Sequence, residues 1–165
     1  AASHRHVFAV LLWFVLLPGP CGALLYRLSL IVRERWGRAL VEADKGFATF
    51  AIQSFSIIDW LPVRVTASAF AVVGDFEDAA YCWRTQAAQW PDRDLGIVLA
   101  AGAGALGVQL GRPVVEGVEI SDRAELGLGD PADVDFMQSA VGLVWRATVV
   151  WLLLLFLLGL ASLVG

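Results

Sequence analysis

The sequence predicts an all-α, polytopic integral membrane protein with proline-broken helices and one amphipathic helix. Three observations predict it. The stretch from Ala147 to Gly165, ATVVWLLLLFLLGLASLVG, carries no charge, and its only polar residues, Thr148 and Ser162, can bond back to the helix backbone. At roughly 1.5 Å per residue it reaches about 28 Å, close to the hydrocarbon thickness of a bilayer, and it lacks the wet face that a soluble core helix keeps. Hydrophobic residues make up 58% of the chain and charged ones 17%, and mean hydropathy is +0.69, all displaced from soluble averages. Finally, no convincing run of β strands stands out.

Val7 to Leu25 is long enough for a membrane helix, and the Pro18-Gly19-Pro20-Cys21-Gly22 turn breaks it near its end. In hydrocarbon the freed carbonyls need partners, so this turn belongs at an interface or against other protein. Arg27 to Lys45 reads as a wet connector and is the most basic stretch, which the positive-inside rule places in the cytoplasm. Gly46 to Ile58 and Val63 to Val73 are apolar and are separated by Asp59-Trp60-Leu61-Pro62. The expectation is a helix, a sharp break, and a second helix with Pro62 at its first position.

Gly74 to Trp90 opens on Asp75, a suitable N-cap. Phe76, Ala80, Trp83, Ala87 and Trp90 then recur at steps of four and three, an apolar stripe on an amphipathic helix. Its polar face lacks the Lys/Arg enrichment of a membrane-surface helix, so it should dock on the protein. Leu95 to Leu110 is apolar and rich in small residues that let helices approach closely, possible packing surface for a membrane-helix partner. Gly111 to Gln138 reads as a polar loop before the terminal span. The whole, residues 1–165, reads as a single membrane domain, the C-terminal part of a longer chain.

The formal net charge of −4 excludes a general nucleic-acid surface. Cys21 and Cys82 form no CxxC and read as free thiols. Gly102, Gly104 and Gly107 spell GxGxxG, but inside a small-residue helix they read as packing rather than as a phosphate cradle. His4 and His6 read as a solvated flank. Asp59 and Arg64 flank the proline break, where ionisable groups at membrane depth are either functional or interfacial. Asp75 and Glu77 either hold magnesium through carboxylate oxygens or serve the helix start. Tyr26 and Arg27 follow the PGPCG turn, where the guanidinium could grip a phosphate or anchor the chain to the membrane.

Three strings, PGPCGALLYRL at 18–28, DWLPVRVTA at 59–67 and AGAGALGVQLG at 101–111, resemble in order and spacing the CobD/CbiB family of cobalamin-biosynthesis membrane proteins. The resemblance implies adenosylcobinamide-phosphate synthase activity in a multi-pass protein of the bacterial inner membrane. Such an enzyme joins the carboxylate of adenosylcobyric acid, a corrinoid, to the amine of aminopropanol phosphate, using ATP and Mg. The matching positions are Tyr26, Arg27, Pro62, Arg64 and Thr66. In this reading Asp59 and Arg64 are the catalytic residues, Tyr26, Arg27, Pro62 and Thr66 bind substrate, both arginines take phosphate or carboxylate, and Asp75 and Glu77, with Asp59, hold or orient a cation. The chain departs from the pattern at Leu28-Ser29-Leu30-Ile31, where an Asn-Thr-Leu-Asp type string is usual, and at the single Asp59, where aspartates are paired. DWLPVR followed by AVVGDFEDAAYCW is similar to the AmpE family, whose members are linked to β-lactamase regulation, and this gives a non-catalytic signalling role as the alternative.

Overall fold

The structure, a computed structural model, describes residues 3–17, 20–39, 45–111, 114–116, 119–121 and 125–164. Residue contacts divide the chain into two compact units, Ala1–Thr66 and Ala67–Gly165. The architecture is mostly helical.

In the first unit a π turn, His4–Phe8, leads into α1, Ala9–Leu16, and α2 follows over Cys21–Ala39. The expected single broken span is therefore two helices that pack on each other. Gly22 makes this possible, because a Cβ there would fall on the Trp13 carbonyl. Pro18 and Gly19 lie outside the described residues, and the Pro20 carbonyl accepts from the Leu24 N–H at 3.0 Å at the start of α2. The Arg27–Lys45 connector is also corrected: α2 continues to Ala39, with Tyr26 and Leu30 buried on one side. Residues 40–44 lie outside the described residues.

The expected break at Pro62 does not occur. A single helix, α3, runs from Lys45 to Val73 with Pro62 inside it. Proline has no N–H, so the carbonyl of Ile58, four residues back, loses its helical donor. The Trp13 indole N–H donates to that carbonyl at 3.2 Å. A replacement donor from another helix removes much of the reason for the helix to end. The boundary between the two units falls within α3. Its buried positions Ala51, Phe55, Asp59, Val63 and Thr66 recur at steps of three and four, one face of a helix.

In the second unit α4 spans Phe76–Thr85, and Asp75 caps it by accepting the Asp78 N–H at 3.1 Å. A 3-10 turn, Ala87–Gln89, follows, and then α5, Arg93–Leu106, capped by Asp92 through the Leu95 N–H at 3.2 Å. The amphipathic stretch docks on α5, as expected, and Ala87 of the expected stripe is buried, but within α4 a neighbouring face is the one most enclosed. Phe76 is 63% exposed, whereas Ala79 and Cys82 are fully buried. The cause is backbone proximity: a Cβ on Gly104 would strike the Asp78 carbonyl, so only small α4 side chains fit the seam. Within the GxGxxG string Gly104 thus serves packing, whereas Gly107 ends α5 in the left-handed conformation, with φ 64°. The small-residue face of α5 is closed against α4 of the same chain.

The polar loop needs correction, and the mostly helical chain carries short strands as well. β1, Val108–Gln109, pairs in parallel with β4, Asp130–Pro131, and β2, Val114–Glu116, pairs antiparallel with β3, Glu119–Ser121. The Gln86 side chain clamps this region, accepting the Gly127 N–H at 2.5 Å and donating to the Gly127 carbonyl at 3.4 Å. The terminal helix α6, Asp135–Val164, begins well before Ala147.

Among the described residues, two helices are long and apolar enough to cross a membrane, Thr49–Val73 and Phe136–Ala161. Along α6, Trp145, Phe156, Leu153 and Leu158 all stand more than half exposed.

Two outcomes are expected of the full-length protein in detergent. Trp13→Phe should lower unfolding stability by about 1–3 kcal/mol, the usual cost of an unsatisfied buried carbonyl. The loss should shrink in a Pro62→Ala background, where the new N–H reaches Ile58; denaturant titration of the single and double variants measures this. Burial pushes the Cys82 thiol up and shields it, while Cys21 is exposed. Maleimide should therefore modify Cys21 in the folded protein and Cys82 only after unfolding, as read by peptide mass spectrometry.

Candidate functional site

Asp59 and Thr66 are seven residues apart on α3, two helical turns, and so share a face. Both are buried, at 2% and 1% exposure. The π turn brings His4 onto this face and α2 brings Tyr26. The His4 ring bridges the two α3 residues, with Nδ1 2.9 Å from Thr66 Oγ1 and Nε2 3.1 Å from Asp59 Oδ1. The Tyr26 hydroxyl donates to the same Asp59 oxygen at 2.8 Å. Four polar side chains from three segments thus form one buried hydrogen-bonded group.

The surroundings are apolar. Ala9, Tyr26, Leu30 and Phe55 form a core cluster against which Val10, Trp13 and Ile58 pack. The Tyr26 and Phe55 rings are tilted, 5.8 Å apart, and the Arg33 guanidinium lies over the Phe55 ring at 4.8 Å. Burial first, and then the Asp59 carboxylate, push the Tyr26 hydroxyl far above its ordinary range, while the Arg5 and Arg33 charges pull the other way. The phenol therefore remains a proton donor to Asp59.

The sequence-derived residues divide. Tyr26, Asp59 and Thr66 come together, and Pro62 is buried on the same helix. Arg64 is not part of the group. Five helical positions turn it roughly 140° from Asp59, and its guanidinium lies over the Trp60 ring at 4.0 Å and donates to the Trp60 carbonyl at 3.0 Å. Arg27 is exposed beside the buried Tyr26, and its Nη1 stands 2.7 Å from His6 Nδ1. Asp75 serves as the α4 cap, with Glu77 exposed next to it. Among the described residues no three His, Cys, Asp or Glu side chains gather in a way that could hold a metal ion.

His4 is the residue that sequence reasoning missed. Far from a solvated flank, it is 3% exposed. Its partners lie 55 and 62 residues away, so no local spacing signals them. The one available clue is a histidine set directly against an apolar run.

Comparison with known proteins places these features in a family. The family model for CobD/Cbib protein matches residues 4–144, which include all four members of the buried group. A cobalamin biosynthesis protein CobD of Stutzerimonas stutzeri strain A1501 is 39% identical over 149 residues, covering 90% of this chain and 48% of the relative. A protein of the same name from Chromobacterium violaceum is 38% identical over 145 residues, covering 88% of this chain and 46% of the relative. The chain therefore spans about half the length of these curated relatives. No solved structure matches, and the matches give no support to the AmpE alternative. With the three sequence strings, the family match and the two relatives in agreement, the chain belongs to the CobD/CbiB family.

Proposed function

We propose that this chain is part of a membrane-embedded, adenosylcobinamide-phosphate synthase-like enzyme of cobalamin assembly, joining aminopropanol phosphate to adenosylcobyric acid. The observation that carries the reading is that the family match coincides with the Asp59 group, and that Tyr26 and Thr66, carried over from the family strings, converge on it.

The chemistry asks for such a group. A carboxylate is a poor electrophile, so ATP must supply the driving force for amide formation. At neutral pH the amine is an ammonium, which must give up a proton to free the lone pair that forms the C–N bond, while the C–O bond to the ATP-activated oxygen breaks and that oxygen leaves with the bonding pair as part of the released phosphate. Asp59 is the acceptor for that proton, held by donors in apolar surroundings where electrostatic interactions are strong. Arg27 and Arg64 stand outside the buried group and are the cations for the phosphates. Asp75 and Glu77 remain the carboxylates proposed for the Mg that accompanies the nucleotide, since magnesium takes one or two carboxylates and completes its shell with water and phosphate.

Lipid is the proposed surrounding solvent. Thr49–Val73 and Phe136–Ala161 have the length and composition to cross a bilayer, and the apolar side chains left exposed along α6 would be a liability in water. The basic stretch from Arg27 to Lys45 favours the cytoplasmic side of a bacterial inner membrane.

The test incubates full-length protein in nanodiscs with adenosylcobyric acid, aminopropanol phosphate, ATP and Mg, and follows the amide product by mass spectrometry. Asp59→Asn should fold, because its amide oxygen still accepts from Tyr26, yet lose about 100-fold in kcat. Arg64→Ala should mainly raise KM for the phosphate-bearing substrates. Absence of product from the wild type, where a known synthase turns over, contradicts the reading.

A further inference from the structure

Asp59 has two carboxylate oxygens, and the protein holds one of them. Oδ1 accepts from both Tyr26 and His4. No donor among the described residues engages Oδ2, and yet no fully buried side-chain oxygen among them lacks a partner. Oδ2 therefore keeps some accessible area on this otherwise enclosed side chain. A carboxylate rotates easily about its terminal torsion, so which oxygen faces outward depends on what grips the other one.

We infer that His4 is a positioning residue for Asp59: together with Tyr26 it pins Oδ1 inside the unit, presenting Oδ2 as an open acceptor for the N–H of a primary-amine ligand. The choice of an amine rests on the synthase-like reading; the presentation of Oδ2 does not.

Three features fit His4 to this task. A carboxylate only accepts, so the hydrogen on the 3.1 Å contact belongs to His4 Nε2. Nδ1 stands 2.9 Å from Thr66 Oγ1, two turns further along the helix that bears Asp59, so the ring is tied at both edges. Both His4 and Asp59 are almost wholly enclosed, with side-chain exposures of 4% and 3%, which limits competition from water. Tyr26 alone would leave the carboxyl free to swing about a single hydrogen bond.

Glutamine places its amide nitrogen near the position of His4 Nε2, whereas asparagine reaches only as far as Nδ1. In full-length protein in nanodiscs, His4→Gln should keep kcat within about threefold of wild type. His4→Asn and His4→Ala should each lose about 10–100-fold in kcat, with KM for the corrinoid unchanged. Equal losses in the glutamine and alanine variants, or full kcat in the alanine variant, would overturn the assignment. Should His4→Ala fail to fold, the glutamine–asparagine comparison decides.

A second readout is independent of synthase activity. A carbodiimide with glycine ethyl ester, a primary amine, should convert Asp59 of the folded wild type to an amide, detected by peptide mass spectrometry. The yield should be kept in His4→Gln and fall several-fold in His4→Asn. An unmodified Asp59 in folded wild type, or equal yields in the two variants, refutes the presentation of Oδ2 by His4, whereas a labelled Asp59 without amide synthesis refutes only the synthase-like reading.

Discussion

A carboxylate buried in an apolar helix is tolerated only if donors reach it, and the first unit is arranged around that requirement. Stripping water from an ionised carboxylate costs many kcal/mol unless hydrogen bonds replace it. Asp59 receives two, from His4 and Tyr26, while Thr66 fixes the His4 ring. The donors arrive from the N-terminal turn and from α2, so satisfying one side chain ties together three segments that are far apart in sequence. The chemical consequence follows from the packing: an almost fully enclosed carboxylate is held at one oxygen by two donors from other segments.

The same rule explains the helix that carries it. Pro62 should end α3, because it strips a donor from the Ile58 carbonyl in surroundings with little water to replace it. The Trp13 indole replaces that donor, and the helix runs on, so Asp59 and Thr66 keep their two-turn register. Gly22 lets α1 sit close to α2, which helps hold Trp13 in place. In the second unit the contacts are of another kind. Gly104, Ala79 and Cys82 let two backbones approach until van der Waals contact dominates.

Much of this was legible in the sequence, and what was missed has a common cause. Asp59 drew attention because a charge beside proline in an apolar stretch is unusual, and Tyr26 and Thr66 because they lie in strings shared with a family. The Asp75 cap followed from local chemistry. The misreadings at Pro62, His4 and the α4 stripe each involved a partner distant in sequence. Pro62 signals a break unless the indole of Trp13 is known to reach the Ile58 carbonyl, 45 positions further on. His4 looks like a flank until the chain returns to it. The Phe76–Ala80–Trp83 stripe has sound periodicity, but the close approach at Gly104 selects the small residues on a neighbouring face. Strands of two or three residues are too short to show any alternation.

The central claim is that Tyr26 and Asp59 belong to one hydrogen-bonded unit rather than being two buried residues that happen to be near each other. A double-mutant cycle on the unfolding free energy of the full-length protein, combining Tyr26→Phe with Asp59→Ala, measures it most directly. The account predicts that removing the tyrosine hydroxyl costs much less once Asp59 is gone, with a coupling of about 1–3 kcal/mol. Costs that add to within about 0.5 kcal/mol would contradict it.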